Sequence, residues 1–487
     1  MWVDHIRKEA LPMKSNDRQK QVQDKSKTSW WVLLVLCGAI FLEGIDVSML
    51  GVALPSIRAE LGMSTSSLQW VVSAYVLGYG GFMLLGGRAA DLFGRRRMFL
   101  FWLAVFLVFS GLGGFATNGW VLILARFMTG VSAAFMTPAG LSIITTSFSE
   151  GVQRNKALSI YAGTAAGGFS LGLVVGGMLT EISWRWVFFG PVILSFVILV
   201  AGYRLIKNTG SPEQAPQGFD LAGAISLTGA MLLLVFAVVE SPNMGWNWTI
   251  GTLAASAVLF VIFVIVERRT ASPLVRLGIL RSGSLIRANV GGMLFAGSFF
   301  GFQFITVLYM QELRGWSSLE TGLALLAIGI DAVLSPTLTP WLVSRFGNVR
   351  VIFWGFCIAA VAYALFLLIG LDSIYAVMLP SLLLVGFAFA LAYGPLTIAA
   401  TDGIREEEQG LAGGLFNTSF QFGAALGLAL VTTVYVSASG AAGMPQAELD
   451  SFRTALIVPV VGVVLGAITV AVGLRKRTEA TKEVHIS

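Results

Sequence analysis

The sequence predicts an all-α polytopic membrane protein, and three observations carry that prediction. Only 12% of the 487 residues are charged, about half the share of an ordinary soluble domain. Hydrophobic residues make up 56% of the chain, and mean hydropathy is +0.80. Apolar runs long enough to cross a roughly 30 Å hydrocarbon core recur from Trp30 almost to the C-terminus.

Charges, Gly/Pro positions and Asn residues divide these runs into fourteen spans. The first six fall at about 31–55, 67–86, 98–116, 120–143, 156–179 and 186–206. Two more, at 220–240 and 249–267, follow a polar linker. The last six fall at 286–311, 321–343, 349–370, 374–400, 410–436 and 454–474. Residues 1–29 are polar and basic and lack an apolar core before a cleavage site, so they read as a cytoplasmic tail rather than a signal peptide.

Placing both termini in the cytoplasm makes a charge test possible, because Lys and Arg crowd cytoplasmic loops. In that topology 27 of the 32 basic residues fall inside, Arg58, Arg185, Arg314 and Arg453 fall outside, and Arg126 lies within a span. An error of one in the span count would scramble this division. The net charge of +6 therefore sets orientation and does not point to nucleic acid.

Other classes are excluded by what the chain lacks. Cys37 and Cys357 both lie in apolar runs, which argues against a disulfide framework or a metal site. His5 and His485 lie in the tails, so no histidine relays protons within the membrane. No Gly-x-x-x-x-Gly-Lys-Ser/Thr loop is present for ATP, and no hydrolase motif stands in a plausible setting.

An internal repeat organises the spans. The stretch GGRAADLFGRRR at residues 86–97 ends the second span, and PWLVSRFGNVR at residues 340–350 ends the tenth. A shift of 253 superposes Phe93 on Phe346, Gly94 on Gly347 and Arg97 on Arg350, while SSL at 66–68 matches SSL at 317–319 with a shift of 251. The expected organisation is a tail (1–29), a six-helix bundle (30–207), two inserted helices with their loops (208–283), a second six-helix bundle (284–474) and a second tail (475–487). Parallel halves of this kind place a substrate site near the midplane where they meet.

With these features in place, the sequence resembles the major facilitator superfamily, specifically its fourteen-span drug:H⁺ antiporter group, from about Trp31 to Leu474. DVSMLGVALP at 46–55 resembles the first-span signature of that group, and GRAADLFGRR at 87–96 matches the superfamily's loop 2–3 motif. Arg126-Phe-Met-Thr-Gly130, Trp184-Arg-Trp186 and GLAGGLFNTSFQFGAALG at 410–427 are similar to further signatures. The resemblance implies the fold of that family, alternating access, and proton-coupled efflux of hydrophobic or cationic compounds across a bacterial plasma membrane. It also implies a monomer that uses a proton gradient and no cofactor. A dedicated exporter of one metabolite, antibiotic or lipid and an uncoupled facilitator remain open beside it.

By resemblance, Gly87, Asp91, Gly94, Arg95 and Arg96 form a latch that holds the halves together when the site opens outward. The glycines permit a tight turn at the membrane face, and Asp91 can meet a helix N-terminus or an arginine. In the second copy Ser344 takes the place of the aspartate. Span five carries Gly168, Gly172, Gly176 and Gly177, a smooth stripe for close helix approach. The family's antiporter motif has a proline after the second of these glycines; here the position is Leu173, which keeps simple packing open as the reason for the stripe.

Charges inside spans are costly and mark function. At 1.5 Å per residue, Arg126 lies about 9 Å from the outer surface and Asp46 about 8 Å, so the two can pair. Glu43 and Asp331 both come out near the midplane, on opposite halves, where cargo would bind. Scarce hydration and a neighbouring like charge both favour a protonated carboxyl, so acids in such a place can exchange protons reversibly. A cationic substrate would compete with that proton. The expected roles are proton coupling for Asp46, Glu43 and Arg126, and substrate contact for Glu43, Asp331, Trp70, Tyr75, Tyr79, Gln303, Tyr309, Asn417 and Gln421. Aromatic faces in that list suit flat organic cations.

Overall fold

The computed structural model describes residues 15–148, 151–207, 220–270, 273–405, 408–439 and 445–486. Within them, the side chains of residues 15–28, 91, 277 and 474–486 lie outside the description. The latch carboxylate Asp91 is among these, and the basic residues of both tails lie either here or in residues 1–14, outside the described residues.

Fourteen helices among the described residues are long and apolar enough to span a membrane. In chain order they are α1 (Ser29–Leu61), α2 (Thr65–Ala90), α3 (Arg95–Gly114), α4 (Gly119–Ser147), α5 (Val152–Ile182), α6 (Trp186–Leu205) and α7 (Leu221–Glu240). They continue as α8 (Trp246–Arg269), α9 (Gly283–Leu313), α10 (Ser318–Phe346), α11 (Asn348–Phe366), α12 (Tyr375–Thr401), α13 (Gln409–Ala438) and α14 (Pro445–Gly473). An even number of crossings returns the chain to the face from which α1 enters, called here the terminal face; the opposite side is the far face.

Local chemistry sets the helix ends. Ser64, Asn118, Asp220, Ser282 and Ser317 each accept a hydrogen bond from a backbone N–H of the following turn, satisfying donors that helix starts leave open. Ser317 and Glu320 complete a reciprocal capping box. On the terminal face Gly94 has φ 90° and Gly347 has φ 84°, a backbone that favours glycine and lets one helix stop and the next begin.

These ends correct the repeat. The caps Ser64 and Ser317 and the turning glycines Gly94 and Gly347 correspond by the same shift of 253. The shift of 251 read from the two SSL triplets is therefore a coincidence of composition, two residues out of register.

Burial sorts the helices into an inner and an outer set. Exposed large apolar side chains concentrate on α3, α6, α8 and α14, for example Phe101, Phe196, Val261 and Ile468, as expected where lipid is the solvent. The core is lined by α1, α2, α4, α9, α12 and α13. The inserted helix α7 wedges between the bundles: Thr228 fills the space beside Gly81 of α2, and Thr433 of α13 donates to the Val238 carbonyl at 2.7 Å.

The two bundles meet tightly on the far half. A methyl group built on Gly177 of α5 would lie 2.7 Å from the Ser318 carbonyl, Gly322 of α10 abuts the Leu173 carbonyl, and Gly329 abuts Ser170. The Leu319 amide at the start of α10 donates to Glu181 at 3.2 Å, a carboxylate at the positive end of a helix. Arg58 pairs with Glu312 at 2.6 Å, and Gln311 donates to the Val52 carbonyl at 2.8 Å. Gln311 and Glu312 both belong to the π-helical turn Tyr309–Leu313 that ends α9. Towards the terminal face this seam gives out: Gly163 and Gly167 of α5 and Gly413 of α13 face open space. The seam between α5 and α10 is closed on the far half and gives out towards the terminal face, whereas α2 and α13 stay in contact there, with Leu84 filling the space beside Gly414.

Candidate functional site

The site grows from α1, the helix that carries both sequence-predicted acids. Glycines hold it in place. Side chains added at Gly168 and Gly176 of α5 would strike the backbone of Phe41 and Met49, and Gly172 abuts Ser48 and Ile45. Gly44 of α1 answers them by lying against Ala165 and Phe169. Three of the four glycines in the stripe thus pack α5 on α1, while Gly177 packs on α10. Leu173 is fully buried in this seam, and α5 is continuous through it from Val152 to Ile182.

Asp46 and Arg126 meet. The guanidinium donates to Asp46 Oδ2 at 2.6 Å, and both side chains are 2% exposed. Arg126 also donates to the Val71 carbonyl at 3.4 Å and stacks 4.4 Å from the centre of the Tyr75 ring, a cation–π contact strengthened by the dry surroundings. Tyr75 in turn stands edge-on to Tyr79, with centroids 6.0 Å apart.

Glu43, one turn towards the terminal face, has a different setting. Thr137 of α4 donates to its Oε2 at 2.6 Å, and the Tyr79 hydroxyl lies beside the same carboxylate. It remains partly accessible. Tyr161 of α5 and Tyr393 of α12, the latter on the opposite bundle, both lie within reach of its charge. Sequence reasoning missed Thr137, although it stands eleven residues after Arg126, three turns along the same helix face.

An aromatic wall on the second bundle faces this acid, and it too was missed. Phe389 and Tyr393 of α12 stack with centroids 5.4 Å apart. Phe299 of α9 lies 4.8 Å from Phe389, and Phe420 of α13 lies 5.0 Å from Tyr393. The spacing of Phe389 and Tyr393, four residues on one helix, was the available signal. Asn417 extends the wall by accepting from Tyr393 at 3.5 Å.

Several expected substrate contacts are placed elsewhere. Asp331 is 9% exposed, and its surroundings hold its own backbone neighbour Ala332 but not Glu43. Rise per residue gives depth and not azimuth, so two acids at one level need not share a site. Tyr309 is buried behind the second bundle, where it stacks on Phe452 and donates to the Gly370 carbonyl at 2.6 Å. Trp70 turns towards Phe236 of α7. Gln303 and Gln421 sit at interbundle contacts, against Gly51 of α1 and Gly80 of α2.

The latch residues lie on the terminal face. Arg95 reaches the Ser142 carbonyl of α4 at 3.5 Å, and Arg96 donates to the carbonyls of Ile206 and Tyr203 at 2.5 and 2.8 Å. These contacts stay within the first bundle and fasten α3 to α4 and α6. Gly87 has open surroundings, its nearest neighbour being Pro138 at 3.9 Å.

A carboxylate buried at the centre between two helical bundles is the arrangement of a carrier. The profile described as Major Facilitator Superfamily matches residues 36–428. The chain belongs to that superfamily. It is a multi-pass transporter of the plasma membrane and not an enzyme. It is 35% identical to a puromycin resistance protein of Streptomyces alboniger, across 93% of both chains. It is 36% identical to a cephamycin export protein of Amycolatopsis lactamdurans, across 88% of each. A multidrug resistance protein of Mycobacterium tuberculosis is 30% identical, covering 87% of this chain and 79% of that one. Among solved structures, a peptide transporter superposes with a TM-score of 0.67 at 18% identity, covering 91% of this chain and 94% of that one. A nucleoside transporter superposes with a TM-score of 0.65 at 13% identity, covering 91% and 99%. At such identities the structures speak for the fold.

Proposed function

We propose that this transporter exports hydrophobic, cationic small molecules in exchange for protons, and that cargo and proton compete for Glu43. The observation that carries the reading is the contrast on α1: Glu43 is partly accessible beneath a sealed far seam, whereas Asp46 is closed into its pair with Arg126. An accessible carboxylate facing the wall of Phe299, Phe389, Tyr393 and Phe420 supplies one negative charge and several π faces, the combination that suits an organic cation. The names of the relatives, which speak of drug resistance and export, support outward transport.

Asp46 and Arg126 act as the coupling pair. Cargo or proton arriving at Glu43 changes the charge one turn away, and the buried pair responds because its field is poorly screened there. The terminal face is the cytoplasmic one in this reading, so the conformation described is the one that loads cargo. Asp91, Arg95 and Arg96 close that face when the far seam opens. Leu173, where the family's antiporters carry proline, leaves an uncoupled facilitator as the competing reading. Relatives named for single antibiotics keep a dedicated exporter in view.

Proteoliposomes with an imposed pH gradient distinguish these readings. Antiport predicts that a fluorescent organic cation accumulates against its own gradient and that collapsing the pH gradient stops accumulation. Downhill flux indifferent to the pH gradient would establish the facilitator instead.

A further inference from the structure

The inserted helices carry a pair of acids for which the transport reading has no use. Asp220 precedes α7 and Glu267 lies in the last turn of α8, on the terminal face, and they are 4% and 3% exposed. Each has one satisfied oxygen: Asp220 Oδ1 accepts from the Gly223 amide at 2.8 Å, and Glu267 Oε2 accepts from the Val275 amide at 3.1 Å. The other oxygens, Asp220 Oδ2 and Glu267 Oε1, are buried without a hydrogen-bond partner. Both point at one spot beside Gly223, where a methyl group would lie 2.7 Å from the first and 3.0 Å from the second.

We propose that Asp220 and Glu267 hold one proton between these two oxygens, a second protonation site contributed by the inserted helices. A buried acceptor without a donor is rare in folded proteins, and one O–H, donated by either carboxyl to the other, supplies the donor that both of these converging oxygens lack. A bound metal ion fits poorly, because among the described residues no group of three metal-ligating side chains occurs. Charge balance agrees. From α2, Arg88 faces the pair and donates to the Pro273 carbonyl. From the linker after α8, Arg276 is 67% exposed and lies 3.6 Å from Glu408 at the start of α13. One buried-side cation against two acids is neutral when one proton is present.

The proton fastens α7 to α8 beside the segment that ties the inserted pair to the first bundle. The segment from Pro273 to Arg276 is held by Arg88 of α2, by Glu267 of α8 and by Glu408 before α13, so it crosses from one bundle to the other beside this site. Loss of the proton would set two carboxylates against each other under that strap.

Infrared spectroscopy of the full chain in lipid nanodiscs tests the site. A chain carrying Glu43→Gln serves as parent, so the central acid does not contribute. The expected result is that adding Glu267→Gln removes one protonated-carboxyl band at neutral pH, and that adding Asp220→Asn removes the same band. Asn keeps the acceptor for the Gly223 amide, so that variant decides the matter if Glu267→Gln does not assemble. Full retention of the band in a folded Asp220→Asn protein would overturn the proposal, as would its retention in a folded Glu267→Gln protein.

Discussion

Glu43 and Asp46 sit one turn apart on the same helix and meet opposite fates. Asp46 has a guanidinium at 2.6 Å and almost no exposure. Glu43 has a threonine hydroxyl at 2.6 Å and part of its surface accessible. The difference comes from α4, which presents Arg126 to one acid and Thr137 to the other from a single face. A charged partner completes Asp46, whereas a hydroxyl donates one hydrogen bond to Glu43 and leaves its charge uncompensated. The lesson is that a carboxylate in a membrane protein becomes available for exchange where its neighbours are polar but uncharged.

The comparison can be broken by removing one partner at a time. Arg126→Ala leaves Asp46 buried and unpaired, so it should produce the largest effect: about 3–5 kcal/mol of destabilisation, read as a large fall in the thermal midpoint of the purified protein. Asp46→Asn combined with Arg126→Ala should recover part of that loss, because coupled residues are not additive. A double variant whose loss equals the sum of the two single-variant losses would mean that the pair is not coupled.

Crowding the contact that holds α1 comes next. Gly172→Ala places a methyl group against Ser48 and Ile45, and overpacking of this kind costs about 1–3 kcal/mol. Gly163→Ala, which faces open space on the same helix, should leave the thermal midpoint unchanged or slightly raised. Thr137→Val should lower cation affinity by less than about tenfold, the effect of one lost hydrogen bond of roughly 1 kcal/mol, with stability nearly unchanged.

The far seam contributes little to stability and acts on the conformational balance. Arg58 and Glu312 are 34% and 29% exposed, so the pair is worth about 0–1 kcal/mol. Glu312→Gln should still shift the balance towards far-face opening, read as faster labelling of a cysteine placed at Gln311. Exchanging the two charges should restore the slow rate.

The fourteen-span architecture was legible because apolar length obeys physics that needs no tertiary contact. The pairing of Asp46 with Arg126 was legible for a similar reason, since rise per residue fixes depth. Azimuth was not. Asp331, Tyr309 and Trp70 lie at suitable depths yet turn towards neighbours within their own bundle or towards α7, and only side-by-side packing decides that. The stripe on α5 was visible in the sequence, but its two targets, α1 and α10, were not. Glu267 and Asp220 read as ordinary charges at helix ends, because nothing local shows that two chain segments some 47 residues apart in sequence bury them together. The aromatic wall was hidden among the 34 phenylalanines of the chain, most of which serve packing or lipid contact.

If a cation and a proton compete at Glu43, cation binding must release a proton. Purified transporter in weakly buffered detergent solution, with a pH indicator present, receives an organic cation. The account predicts proton release that disappears in Glu43→Gln, together with cation affinity that weakens as pH falls in the parent and becomes independent of pH in the variant. The sign follows from charge: protonation neutralises the carboxylate and removes its attraction for the cation. Undiminished proton release in a folded Glu43→Gln protein would contradict the account.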